Sequence, residues 1–372
     1  MDPALQKTFT FLSFILLGFL LKSKFNSKEQ VNGIKSFILT IALPSTIFVA
    51  LMGVEMSASM LVFPILALAF NFVIYFITPP LLKVVGVDND SAKGRTLRLL
   101  LPSLAPGLSC FPFILEYLGE KSLADAALAD VGNKFFVLIF LYVMAMNMFY
   151  SIHLLAKTSS KGKIKELLMS LVREPINLVI IIAMALLSLG FNFDSLPVFI
   201  GDTFSRLSLI MTPLVLFFIG LAVKLKKESL WAILNILLLR AGVTLLISTG
   251  LVLLLEVQDT STILLMMVFP LSSCSFWPFA HLSVFSKREK NSSKTFDTEY
   301  AILVLALSLP ISTLMILGIL SSGEFFARPE VSATSGCILL GTVALVQLVR
   351  KLSSSRFNWQ VEENKKLIEQ AE

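Results

Sequence analysis

Asp130 and Lys134 stand four residues apart in an apolar stretch, one turn of a helix, where opposite charges can neutralise each other. Asn133 lies between them and points about a third of a turn away from either. Arg240 is a third charge in apolar surroundings, within Leu-Leu-Leu-Arg-Ala-Gly, too deep for its stem to carry the guanidinium to water. His281 follows a proline-rich stretch, and histidine is the side chain whose ordinary titration range lies nearest neutral pH. An ionisable group at membrane depth costs about 2.5–3.5 kcal/mol, so each is a candidate for function. Asp130 and Lys134 are either a structural pair or part of a site. Arg240 either clamps carbonyls between helices or holds an anion, because its fork matches a carboxylate. His281 is either structural or a proton-coupling group.

Two further clusters have the chemistry of a binding site. Pro102, Pro106, Gly107 and Pro112 fall in Leu-Pro-Ser-Leu-Ala-Pro-Gly-Leu-Ser-Cys-Phe-Pro, and Pro270 and Pro278 in Phe-Pro-Leu-Ser-Ser-Cys-Ser-Phe-Trp-Pro. Proline removes a backbone donor and clashes with the preceding turn, so both helices should break. Carbonyls freed in lipid must be satisfied by protein or by water in a cavity. Half-helix ends facing such a cavity offer amides and carbonyls to a ligand. The candidate substrate-binding residues are therefore Ala105, Pro106, Gly107, Ser109 and Cys110 in the first cluster and Pro270, Ser272, Ser273 and Cys274 in the second, with Asn133 nearby.

The elements that must position these residues are membrane spans. With 56% hydrophobic and 15% charged residues and a mean hydropathy of +0.83, the chain of 372 residues is too apolar for a soluble domain. A span takes roughly 20 apolar residues. Ten such segments run over 8–22, 34–53, 58–82, 97–118, 126–150, 174–191, 201–223, 230–255, 261–285 and 297–320, with a weaker eleventh at 331–349. Most of the 31 Lys and Arg fall between alternate pairs of spans, at 22–35, 83–98, 157–173, 224–227, 287–294 and 350–366. The intervening loops hold only Lys7, Lys121 and Arg328. Basic loops stay cytoplasmic, so the N-terminus is expected outside and the tail inside a cell membrane, plasma or bacterial inner. The N-terminus lacks a basic region before its apolar run, which reads as a permanent helix rather than a signal peptide.

The hydrophilic segment 156–173 divides the chain into 1–155 and 174–320, each with five spans, followed by 321–349 and a tail at 350–372. Two halves of odd span number have opposite orientation, as in the inverted repeats of secondary transporters. Internal matches agree: one offset places Pro44 on Pro213, another Pro106 on Pro270 and Cys110 on Cys274, a third Asp130 on Asp297. The expected fold class is an all-α polytopic membrane protein. It has ten spans, eleven with 331–349, in two inverted five-helix repeats with proline-broken helices four and nine at the site.

On these residues the chain resembles the auxin efflux carrier family, which belongs to one superfamily with the bile-acid sodium symporters. The likeness covers about residues 8–320. It rests on Leu43, Pro44, Ile47 and Phe48, on Gly107 and Pro112, and on Gly132 and Asn133. Thr212, Pro213, Leu214, Gly220, Leu309 and Pro310 complete it. The resemblance implies that helices four and nine cross at the site, that Asn133 contacts ligand or substrate, and that the protein is a homodimer. The family's asparagine and threonine before Gly107 are replaced by Ala105 and Pro106, which implies weaker polar recognition and a more apolar substrate.

Other classes are excluded. Glycine-rich phosphate loops, His-Glu-x-x-His and paired cysteines are missing, so no enzyme, cofactor or metal site is expected. Cys110, Cys274 and Cys337 lie in apolar segments and read as small buried residues. The net charge of +6 sits in short loops, which gives no nucleic-acid footprint. The expected activity is alternating-access transport of a small organic anion such as a carboxylate, as a permease or as a sodium- or proton-coupled symporter. A non-transporting sensor on the same fold is the third reading.

Overall fold

The computed structural model describes residues 3–25, 27–53, 62–153, 172–222, 230–286 and 294–369, with 165, 166, 168, 169 and 289. The expected linker 156–173 lies largely outside the described residues, as do the expected basic loops at 224–227 and most of 287–294. Among the described residues every regular element is helical.

The chain opens with α1 (Pro3–Leu20), α2 (Lys28–Phe37) and α3 (Leu43–Met52). A wide π turn at Ile38–Ala42 joins the last two. Ser27 starts α2 with a capping box, its hydroxyl accepting from the Gln30 amide. α4 (Val62–Val84) follows, then α5 (Ala92–Leu100), α6 (Pro106–Ser109), α7 (Phe111–Phe135) and α8 (Leu141–His153). A second π turn, Phe136–Phe140, links α7 to α8. Gly119 interrupts α7 at φ +86°, a left-handed conformation that glycine alone adopts freely, and kinks the helix there. The later elements are α9 (Pro175–Ser188), α10 (Val198–Leu209), α11 (Met211–Ala222), α12 (Leu230–Leu254), α13 (Thr260–Val268), α14 (Phe276–Ser286), α15 (Thr298–Ser322), α16 (Glu324–Ala327) and α17 (Pro329–Glu369). Asp259 and Asp297 cap α13 and α15 by accepting from the amides of Thr262 and Tyr300.

Eight helical runs among the described residues are long and apolar enough to cross a membrane. The difference from ten arises at specific places. The runs Thr8–Ser23 and Pro175–Ser188 are apolar but shorter, and the second half of the fourth expected span continues past Gly119 into the fifth as one run, Phe111–His153. The eleventh expected segment qualifies, as Pro329–Val349, and its helix does not stop at 349 but runs unbroken to Glu369.

One group of helices packs through small residues. α1 crosses α11 so closely that a Cβ on Gly220 would lie 2.0 Å from the Ile15 carbonyl oxygen, and one on Gly18 would lie 2.1 Å from that of Phe217. Only glycine fits this contact. α3 packs on α9 and α10, with Phe48 against Phe204 at a ring separation of 4.3 Å. A second group places α4 along α7 and α17 along α12, where Thr249 and Ser332 hydroxyls meet at 2.8 Å. The interrupted helices lie between these packings.

Candidate functional site

The two interruptions meet. The chain leaves the helix after α5 at residues 101–105 and after α13 at 272–275, and the Ala105 amide donates to the Ser273 carbonyl at 2.8 Å. Three consecutive amides of the second break find hydroxyl oxygens: Ser273 on Ser109 at 3.0 Å, Cys274 on Ser308 at 3.2 Å and Ser275 on Ser103 at 3.0 Å. Pro106 opens the half-helix after its break, whereas Pro270 lies in the short turn before its own.

Arg240 holds the crossing from behind. Its Nε donates to the Leu101 carbonyl at 2.8 Å and Nη1 to that of Ser272 at 3.0 Å, while Nη2 reaches those of Ser103 at 3.4 Å and Pro270 at 3.5 Å. Carbonyls that have left a helix in an apolar interior need partners, and a guanidinium with five N–H groups supplies them from one side chain. Arg240 is buried and does not line the cavity described below.

Asn133 performs the same service for the first break. Its amide nitrogen donates to the Leu104 carbonyl at 3.0 Å and to Asp130 Oδ1 at 2.8 Å, and its oxygen accepts from the Leu104 amide at 3.3 Å and from Asn71 at 3.0 Å. The expected divergence of Asn133 from Asp130 is corrected by this bond, since residues three apart on a helix are close enough for their side chains to meet.

Beside the crossing lies a cavity of about 240 Å³ that Arg240 does not line. Ala105, Pro106 and Gly107 line it from the first break, and Ser273, Cys274 and Ser275 from the second. Leu39 and Val137, one from each π turn, also face it, in keeping with the frequent placement of such wide turns at functional sites. Asp130, Asn133 and Lys134 form part of the wall. Of the remaining sequence candidates, Ser109, Cys110 and Ser272 are buried within the crossing and Pro270 lines a smaller apolar cavity of about 50 Å³ on another face. His281 is buried and does not line the cavity, its Nε2 3.0 Å from the Val137 carbonyl and its ring edge-on to Tyr142.

Among the wall residues outside the sequence candidates, Lys35, Glu174 and Trp277 carry charge or an aromatic surface. Lys35 on α2 reaches the cavity with its ammonium over the Phe276 ring, 5.1 Å from the centroid, and contacts no carboxylate among the described residues. Glu174, immediately before α9, receives Lys134 at 3.2 Å, while Asp130 receives the same ammonium at 3.3 Å. Trp277, in the first turn of α14, adds an aromatic surface. Lys35 and Glu174 belong to stretches rich in loop charge, which gave no sign that they turn inward.

The repeated apolar helices and the interrupted pair at their centre define a multi-pass, all-helical membrane protein. Over 212 residues, 55% of its length, the chain is 26% identical to an uncharacterized transporter of Methanocaldococcus jannaschii. The match covers 65% of that relative, just under two thirds. No family model matches the sequence.

Proposed function

We propose that this protein is a secondary carrier that moves a small organic anion, such as a carboxylate, across the cell membrane by alternating access. The observation that carries the proposal is Lys35: a cation with no carboxylate partner among the described residues, facing a cavity at the meeting point of two interrupted helices. The N-terminal turn of α14, with Phe276 and Trp277, borders the same space, and a helix N-terminus favours negative charge. The apolar wall of Leu39, Phe218, Leu305 and Leu309 suits the body of an organic acid more than that of an inorganic anion.

In this reading the chain forms ten spans as two inverted five-helix repeats, with the N-terminus outside and α17 as an eleventh. The likeness to a transporter and the internal pairing of the two breaks support it. A cation-coupled symporter is the second reading, favoured by the charged triad of Asp130, Lys134 and Glu174 on the cavity wall. The test is uptake and counterflow of labelled mono- and dicarboxylates, indole-3-acetate and malate included, in proteoliposomes with sodium and proton gradients imposed separately. Saturable flux supports a carrier. Ligand binding without flux for any of them indicates the sensor reading.

A further inference from the structure

Two carboxylates share a single ammonium at the cavity wall. Lys134 Nζ lies 3.3 Å from Asp130 Oδ2 and 3.2 Å from Glu174 Oε1, with Asn177 Oδ1 at 3.4 Å. The side chains of Lys134 and Asp130 are 7% and 4% exposed. With both acids ionised, the triad carries one negative charge that nothing within it compensates. Burial makes such a charge expensive, and the economical way to remove it is to bind a proton.

The two acids are not equivalent. Asp130 is held by the Asn133 amide at 2.8 Å in addition to Lys134. Among the described residues, Glu174 receives only a long contact from Asn177, at 3.5 Å, besides the lysine. It is also the more open, with 22% of its side chain exposed. The groups facing Glu174 are Asp130 and Lys134 from α7 and Asn177 from its own helix, with Lys35 of α2 on the same cavity. His281 from α14 does not line the cavity, and its Nε2 lies 3.0 Å from the carbonyl of Val137, which does.

We infer that Glu174 is a proton-binding site, at which the carboxylate takes up one proton and becomes a neutral acid while Lys134 stays paired with Asp130. The triad then passes from one net negative charge to zero. The change also weakens the ion pair that ties α7 to the start of α9, so the proton and the relative position of these helices are linked. For what this proton drives, the inference rests on the carrier reading, and a proton gradient rather than a sodium gradient then powers accumulation of the anion.

Infrared difference spectra of the purified full chain through an acid titration started well above the ordinary carboxylate range near 4 read the site without any substrate. An Asp125→Asn background removes the other fully buried carboxylate of α7. Acidification should raise a protonated-carboxyl band that Glu174→Gln abolishes. Lys134→Gln, which withdraws the shared ammonium, should move that band's onset up by about one pH unit or more. A band that survives Glu174→Gln, or one lost only in Asp130→Asn, overturns the assignment, and so does an onset that Lys134→Gln leaves in place. In proteoliposomes, accumulation of a transported carboxylate under a proton gradient, taken relative to the same protein's counterflow, should be lost in Glu174→Gln. Equal accumulation by wild type and variant contradicts the inference. Failure of the wild type to move any carboxylate tells against the carrier reading alone, since the infrared result is independent of it.

Discussion

Arg240 donates to the carbonyl oxygen of Leu101 at 2.8 Å, a bond between residues 139 positions apart in the chain. The same guanidinium reaches Ser272 in the other interrupted helix, so one side chain fixes both breaks. The proline-rich clusters create backbone that lipid cannot tolerate, and Arg240 is what makes it tolerable at this depth.

Replacing Arg240 by methionine should therefore destabilise the fold strongly. Each carbonyl left without a donor costs about 1–3 kcal/mol, and several are involved. Lysine keeps the charge but not the planar fork, so Arg240→Lys should recover only part of the loss. Thermal unfolding of the purified protein, followed by intrinsic fluorescence, measures both. An Arg240→Met protein with wild-type thermal stability contradicts the role.

Asn133 is tied to Leu104, Asp130 and Asn71, and every hydrogen-bonding atom of its amide is engaged. Asn133→Ala should lower stability by about 1–3 kcal/mol, because it strands the amide and carbonyl of Leu104. The signature that separates this from simple ligand contact is a fall in thermal stability measured with no substrate present. A variant as stable as wild type but impaired only in substrate affinity would make Asn133 a ligand group instead.

The crossing of α1 and α11 tests the packing. A Gly220→Val side chain cannot be accommodated 2.0 Å from the Ile15 carbonyl without separating the helices. Overpacking of this kind costs about 1–3 kcal/mol or more. Reduced yield of monodisperse protein and a lower unfolding temperature are expected, whereas Gly250→Val, where a Cβ meets nothing within 4 Å, should be mild.

Asp259, just before α13, has its carboxyl held below the usual carboxylate range by hydrogen bonds from the Thr262 hydroxyl first and the Thr262 amide second. A depressed folded-state value stabilises above the unfolded value, so the contribution is fully present at neutral pH and fades as pH falls through and below that range. The site is exposed, which keeps the electrostatic part small. Asp259→Ala should cost about 1 kcal/mol at pH 7 and almost nothing in strong acid. Unfolding of the pair across pH measures the difference, and an unchanging gap between them contradicts the cap.

Much of the architecture was legible because charges and prolines stand out against apolar sequence. Arg240, Asp130 and Lys134 are conspicuous within their stretches, and Pro102, Pro106, Pro270 and Pro278 mark where helices cannot continue. Their partners were less legible for physical reasons. Arg240 binds backbone oxygens, which carry no residue identity, and Ser103, Ser109 and Ser308 cap amides through hydroxyls that occur everywhere in the chain. Lys35 and Glu174 belong to charged stretches whose depth no pattern reports, and only the folded chain turns them toward the cavity. Gly119 was equally silent, since a glycine between two apolar runs does not by itself announce a kink.

The central claim is that the cavity beside the crossing receives a carboxylate on Lys35. Its most direct test is counterflow of the labelled carboxylate that wild type moves best, in proteoliposomes of wild type and Lys35→Glu with equal amounts of folded protein. Reversing a charge that contacts the ligand should weaken apparent affinity by a factor of about 100 or more, because a carboxylate that gained a charge-assisted bond now meets like charge. Saturable counterflow in wild type that collapses in Lys35→Glu is the predicted result. Counterflow of the same rate and affinity in both would contradict it.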